Sequence, residues 1–378
     1  MAELTRMDLK QIAARRGFPV VSVHTPTEKV GEPLHRNSVL VRNAVTEAKK
    51  ALAQHGVEGS QADELLRPLS ELGADRSRML HQLGGMSIFL QEKGYDIVEL
   101  PGHDRLQVEV SERPALLPLI APTFHNRDFA VLTLSRGGAG LYRCSRYSAE
   151  LVELPGLPED LAYVLRYDDF EKSIQPHMTD SSGSKAGMHG HGMGKDTQDS
   201  VLDRFVSAVE KEVSAWMHRH QLPLVLMGVP DVIGRYRKAS AYPHLVDPQV
   251  EVDPFSIGID YILSTGWTSV EPRVEEARKE AIDRYGTAES KSEEIYTVLS
   301  ALTEGRVATL FIDPSEEIRG SYDSERGAVH RENGSEEDGA KGRTLENLVN
   351  RCVIEGLSTG TEIVVVGDEL PTPSVILH

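Results

Sequence analysis

The segment from Ser181 to Lys195 reads SSGSKAGMHGHGMGK. His189 and His191 sit on either side of Gly190, with Met188 and Met193 flanking them. An imidazole that titrates near neutrality can act as a general base on an ester. It can also ligate zinc, copper or nickel, or stack and hydrogen-bond on unpaired RNA bases. A metal needs further ligands at fixed spacing, and no Cys, Asp or Glu lies inside this loop. The expectation is therefore no metal and no cofactor. A general base needs a neighbour that orients it, and a glycine tether supplies none, so no catalytic residue is assigned. RNA contact needs only reach and donors. Gly187, Met188, His189, Gly190, His191, Gly192, Gly194 and Lys195 offer both. The plain alternative is a loop of no defined role.

A long helical pattern directly after the loop gives it a base. Between Gln198 and His220, the apolar residues Val201, Leu202, Phe205, Val209, Val213, Trp216 and Met217 recur at helical spacing. Asp196, Thr197 and Asp199 supply helix-start chemistry. A glycine loop on a long, well-anchored helix presents a few polar groups to something outside the protein. Trp216 falls on the apolar stripe, which favours a core role over a stacking platform. Next comes LPLVLMGVP, a continuous apolar run of the buried-strand kind. PDVIGRYRKA, from Pro230 to Ala239, then reads as a helix with proline in its first turn.

That helix carries a compact basic run, Arg235, Arg237 and Lys238. These residues are candidates for phosphate contact, which positions rather than specifies. The bland alternative is a solvated helix face. Arg136, Arg143 and Arg146 invite the same two readings. Gly137 and Gly138 are turn residues, because no helix start follows them as a dinucleotide fingerprint requires.

The whole chain sets bounds. Its 378 residues suggest two or three domains, and 39% hydrophobic content is enough for ordinary cores. No apolar run approaches the ~18 residues of a membrane span. MAELTRMDLKQIAARRG lacks an apolar signal region. The expectation is a cytoplasmic protein without a membrane partner. Cys144 and Cys352 alone cannot build a disulfide framework or a cysteine zinc site. The net charge of −17 argues against a general nucleic-acid binder and leaves local basic patches open. Acidity for solubility and acidity as mimicry of a folded RNA both fit.

Pattern reading along the chain gives an α/β fold of three domains. The first, 1–123, has a strand at Phe18 to His24 and helices at Leu34 to His55 and Gln61 to Leu83. Strands follow at Met86 to Leu90 and Tyr95 to Leu100. SERPALLPLIAPTFHNRD reads as a proline-rich linker. The middle domain, 124–263, is a β-rich sheet covered by helices, with the exposed loop at 181–195. Its strands begin at Phe129 to Leu134, Gly140 to Cys144 and Ala149 to Leu154. The third domain, 264–378, is a small α/β sandwich. It has helices near Val270 to Tyr285, Ser292 to Thr303 and Leu345 to Glu355. Its strands lie at Val307 to Ile312, Thr361 to Val366 and Ser374 to Leu377. A Glu-, Gly-, Ser- and Arg-rich insertion, 314–343, is expected to be flexible.

The order FAVLTLSRGGAGLYRC, GMHGHGMGK, VLDRFVSAVEKEVSAWM, LPLVLMGVPDVIGRYRKAS and EEIYTVLSALTEGRVATLFID with EIVVVGDELP resembles the archaeo-eukaryotic release factor and Pelota family. The likeness runs from about Phe124 to His378. VVSVHTPTE and LHRNSVLVRNAVTEAKKAL are similar to the first domain of its bacterial branch, the group that includes the ribosome hibernation factor Balon. The resemblance implies a middle domain that reaches the peptidyl transferase centre of the ribosome. It also implies a last domain that meets an elongation-factor-type GTPase or the stalk base. True release factors carry a Gly-Gly-Gln tip, and this chain has none. The stop-codon-reading motif of eukaryotic release factors is also absent from the first domain. Both departures favour occupation of the aminoacyl site without peptide release, in hibernation or stalled-ribosome handling. The alternatives are a peptidyl-tRNA hydrolase that uses His189 or His191, and a protein that keeps only the fold.

Overall fold

The computed structural model describes residues 4–28, 35–75, 84–100, 102–158, 195–323, 328–331 and 345–378. The chain is α/β and groups into two compact units, one of 127–275 and one of 1–126 with 276–378.

The chain opens with α1 (Arg6–Ala13), whose start is fixed by a reciprocal capping box between Thr5 and Asp8. Then come β1 (Val20–Pro26), α2 (His35–Gln54), α3 (Gly59–Ala74), β2 (Gly85–Gln91), β3 (Gly94–Glu99) and β4 (Gln107–Ser111). The strands form an antiparallel sheet in the order β3-β2-β1-β4. Strand alternation sorts the faces. Val21, Val23, Ile88 and Leu90 pack with Val41, Leu52, Leu66 and Leu69 of the two helices. The proline-rich stretch expected to be a linker instead contains α4 (Leu117–Phe124), with Pro118 in its first turn. Its Leu119, Ile120 and Phe124 are buried. The reason is composition: between the prolines the stretch is almost wholly apolar, and it gains more from burial than a solvated linker would.

The second unit is built on β5 (Phe129–Ser135), β6 (Gly138–Cys144), β7 (Ala149–Leu151), α5 (Lys195–His220), β8 (Leu224–Gly228), α6 (Pro230–Ala239) and β9 (Val250–Glu251). The sheet order is β7-β6-β5-β8-β9, with β5, β8 and β9 parallel and the rest antiparallel. Ala130, Leu132, Leu134, Leu224 and Leu226 face α5 and α6 through Phe205, Val209, Val213, Ile233 and Tyr236. Phe129, Val131, Val225 and Met227 face the other way, against Ile262, Trp267 and Val270. Those three residues belong to α7 (Ile259–Thr287), which starts eleven residues earlier than its sequence pattern shows. Gly266, Pro272 and a run of Ser and Thr dilute the apolar period there. Gly266 is needed, because a Cβ at that position would run into the Phe129 ring.

The remaining elements are β10 (Lys291–Ser292), α8 (Ile295–Thr303), β11 (Val307–Ile312), β12 (Arg319–Asp323), β13 (Ala328–Arg331), β14 (Glu346–Asn347), α9 (Leu348–Thr359), β15 (Glu362–Val365) and β16 (Ser374–Leu377). One sheet runs β10-β16-β11-β15, and a smaller one runs β13-β12-β14. The insertion expected to be flexible thus supplies two strands, with Tyr322 paired to Val329. Tyr322 also lies under the Arg351 guanidinium. Residues 324–327 and 332–344 of the insertion are outside the described residues. The core of this unit joins Leu9, Phe89, Leu116 and Ile120 to Val298, Leu310, Leu348 and Val353. Asn350 clamps the same junction: its Oδ1 accepts from the Leu116 amide at 2.7 Å and its Nδ2 donates to the Pro114 carbonyl at 2.9 Å.

His24 on β1 is 2% exposed, and its Nδ1 lies 2.6 Å from the Ser87 hydroxyl across the strand pair. Burial first, and then the neighbouring His103, push its pKa from 6.5 down to about 3. Between those two values the unfolded chain takes up a proton that folded His24 refuses, so stability falls as the pH drops through that window. The effect is on the order of a few kcal/mol. In a histidine NMR titration, the His24 ring signal should keep its neutral position down to about pH 4. His24→Gln should flatten the acid side of the urea stability profile. Titration of His24 together with the exposed histidines would contradict this burial.

Candidate functional site

The site is assembled at one end of the second unit, where β5 and β8 both finish. The β5–β6 turn carries Arg136 and Gly137 there, and Gly138 adopts a positive φ of 151° as a turn residue. α6 begins one residue after β8, and the first described turns of α5 lie alongside it. The chain enters the 159–194 segment after a turn closed by the Leu157 amide on the Leu154 carbonyl. It leaves that segment at the start of α5. The loop residues Gly187, Met188, His189, Gly190, His191, Gly192 and Gly194 lie outside the described residues, as does the side chain of Lys195.

Arg235 organises this end. Its Nη1 donates to Asp203 Oδ1 at 2.6 Å, its Nη2 to Asp199 Oδ1 at 2.8 Å and its Nε to Asp231 Oδ1 at 3.1 Å. The other oxygen of Asp231 accepts from Arg136 Nη2 at 3.0 Å. The network therefore joins the β5–β6 turn, the first turn of α6 and the second and third turns of α5. Burial works to raise the Asp231 pKa. The hydrogen bonds from Arg235 and Arg136 outweigh it and hold the carboxyl below its ordinary range. The hydrogen bonds that Arg235 donates to Asp203 and Asp231 raise its own pKa above the ordinary value. A forked guanidinium suits this task, because a lysine ammonium cannot aim five fixed donors at three carboxylates.

Between α5 and α6 runs a groove of about 620 Å³ lined by Asp203, Val206, Ser207, Pro230, Gly234 and Lys238, among others. Of the predicted basic run, Arg235 is committed to its three aspartates. Arg237 is turned to the other side of α6, where it pairs with Asp247 and reaches Gln249 at 3.2 Å. Lys238 has no carboxylate partner among the described residues and lines the groove. Arg143 pairs with Asp128, and Arg146 sits 5.0 Å over the Trp267 ring. Trp216 is buried on the core face, as its position on the apolar stripe predicts. Burial pushes the Cys144 thiol up to about 12 and raises Cys352 as well, so neither is a reactive thiolate. Among the described residues, no cluster of His, Cys, Asp or Glu could hold a metal ion, and no helix is long and apolar enough to cross a membrane.

The sequence missed the three-aspartate clamp. Asp231 and Arg235 stand four apart on one helix, a spacing that signals an ion pair. Asp199 and Asp203 lie 36 and 32 residues upstream and come within reach only through the crossover to β8.

Residues 129–272, nearly the whole of this unit, match the sequence profile of bacterial archaeo-eukaryotic release factor family 7. No curated protein matches the chain. Similar solved structures include an archaeal translation termination factor, aRF1, at 14% identity with 100% of this chain and 99% of that one covered and a TM-score of 0.23. A ribosome-bound archaeal Pelota, described with ABCE1, is 10% identical over 100% and 95%, with a TM-score of 0.36. Dom34 of S. cerevisiae is 9% identical over 80% and 80%, with a TM-score of 0.31.

Arg235→Ala should leave Asp199, Asp203 and Asp231 repelling one another. We expect a melting temperature lower by a few degrees and faster amide exchange in the first described turns of α5, with its last turns unchanged. Arg235→Lys should recover only part of the loss. Because the carboxylates are exposed, the difference should shrink at high salt. Unchanged exchange at 199–206 in Arg235→Ala would show that the clamp does not hold the loop base.

Proposed function

We propose that this chain is a ribosome-binding translation factor that occupies the aminoacyl site without releasing the peptide. It would act in hibernation or in the handling of stalled ribosomes, in the manner of Balon-like and Pelota-like proteins. One observation carries the reading: a unit that matches a release factor family profile, in a chain without a Gly-Gly-Gln sequence. In release factors that glutamine places a water against the ester carbonyl. Such placement can lower a barrier by about 7–11 kcal/mol. A Met-His-Gly-His tip has a different reach and a different hydrogen-bond pattern. Its imidazoles must also lose many conformations before either could act.

In this reading, Gly187 to Lys195 meet ribosomal RNA of the peptidyl transferase centre, with the histidines stacking and donating hydrogen bonds. Lys238 supplies a phosphate contact from the groove. Arg235 and Arg237 would reach phosphate only by exchanging their present carboxylate partners. Arg235 then acts mainly by fixing the helix that bears the loop. An elongation-factor-type GTPase is the partner proposed for delivery. The Dom34 structure is described as that of a factor that interacts with Hbs1, which makes a GTPase pull-down a direct companion assay.

The tagged chain should pellet with vacant ribosomes at low salt. A variant with His189→Ala and His191→Ala should pellet severalfold less. Neither protein should free labelled peptide from peptidyl-tRNA on stalled ribosomes, even at saturation. Multiple-turnover release by wild type, lost in the double variant, would mean that the loop is catalytic and that the chain is a hydrolase. Absence from the ribosomal pellet would reject the proposal.

A further inference from the structure

The far end of α5 carries a second feature, independent of the loop. With 26 residues, α5 spans about 39 Å, and its last turn lies at the end of the sheet where β5 and β8 begin. There the residue balance inverts. In a chain of net charge −17, the segments 213–224 and 236–250 together contain one carboxylate, Asp247. Against it stand Arg219, Arg237, Lys238, His218, His220 and His244. Asp247 is itself saturated. The hydrogen bond from Arg237 holds its pKa below the ordinary range, and Arg273 adds a second attraction. Arg273 is fixed beside it by donating to the Leu245 carbonyl at 2.7 Å.

The rings at this end are fixed as well. The His220 imidazole stacks on the Trp216 indole, with centroids 3.8 Å apart and planes within 17°, and its Nδ1 lies 2.8 Å from the Trp216 carbonyl. Trp216 is buried beneath and His220 is exposed above, so the imidazole offers its outer face to solvent. Tyr242 is anchored by its hydroxyl, which donates to the Leu222 carbonyl at 2.7 Å. The exposed His218 and His244 rings meet Tyr242 edge-on at 5.6 and 5.5 Å. Arg219 is exposed between His218 and His220, and its Nε donates to the Ala215 carbonyl. No carboxylate among the described residues pairs with it.

We propose that this end of α5 is an RNA-binding surface for an unpaired strand. A base stacks on the outer face of His220, and Arg219, with His218 and His244 beside it, takes the adjacent phosphates. Planar rings with cationic donors between them are what a single-stranded nucleic acid requires, because every base has a π-face and every linkage a charge. An apolar partner would find no large exposed hydrophobic side chain on these segments, and a basic one would be repelled. The inference deepens the ribosome reading, which supplies the RNA that the surface would meet.

The test is anisotropy of a short labelled single-stranded RNA with the full-length chain at low salt, alongside ribosome pelleting. The variant combines Arg219→Glu, His220→Ala and His244→Ala, and Arg219→Glu alone guards against misfolding of the triple. Arg67→Glu on the exposed face of α3 makes the same charge change as Arg219→Glu elsewhere. Wild type and Arg67→Glu should bind the probe alike. The triple variant should bind about tenfold more weakly, and the salt slope should fall by about one for Arg219. The proposal is overturned if wild type ignores the probe, if Arg219→Glu and the triple bind as well as wild type, or if Arg67→Glu loses as much. Probe binding through this surface without ribosome pelleting would keep the surface and remove the ribosome reading.

Discussion

The parallel pairing of β5 with β8 decides the geometry of the second unit. Two parallel neighbours cannot be joined by a tight turn, so the chain must travel back across the sheet between them. α5 makes that return. Its N-terminus is thereby placed at the end where both strands finish, and its C-terminus at the end where they begin. At Gly228 a Cβ would overlap the Leu134 carbonyl oxygen. That same carbonyl accepts from the Val229 amide at 3.0 Å as the chain turns into α6. Any side chain at 228 would pry the strands apart just where the clamp begins.

The charges obey this layout. One end of the unit concentrates Asp199, Asp203 and Asp231 around a single guanidinium, with Arg136 bridging to the neighbouring turn. Opposite charges in near balance hold the loop base without drawing phosphate strongly to it. The other end is short of carboxylates and rich in imidazole and guanidinium. On the proposed reading, a strongly acidic protein would meet an RNA-rich partner at chosen points while its body is repelled from nonspecific contact.

Legibility in the sequence tracked how much of each signal was local. LPLVLMGVP could only be a buried strand, and Pro230 to Ala239 could be bounded because proline at the start and the amphipathic spacing agree. β11 and β16 were equally plain. α4 was hidden because three prolines outweighed an apolar composition whose partners, such as Asn350, are more than two hundred residues away. The first half of α7 was hidden because Gly266 and its polar neighbours are chosen to let the helix lie against Phe129, at the expense of a clear period. The basic run was visible as a charge cluster. That two of its members are already paired could not be seen, because Asp199 and Asp203 are brought in by the crossover and Asp247 by the β9 connection.

The most direct measurement is cryo-electron microscopy of ribosomes captured with the tagged chain from stationary-phase cells. The account predicts density for the 127–275 unit in the aminoacyl site, with the loop-bearing end of α5 pointing to the peptidyl transferase centre and any peptidyl-tRNA intact. Captured ribosomes with an empty aminoacyl site, or with the C-terminal end of α5 facing that centre, would contradict it.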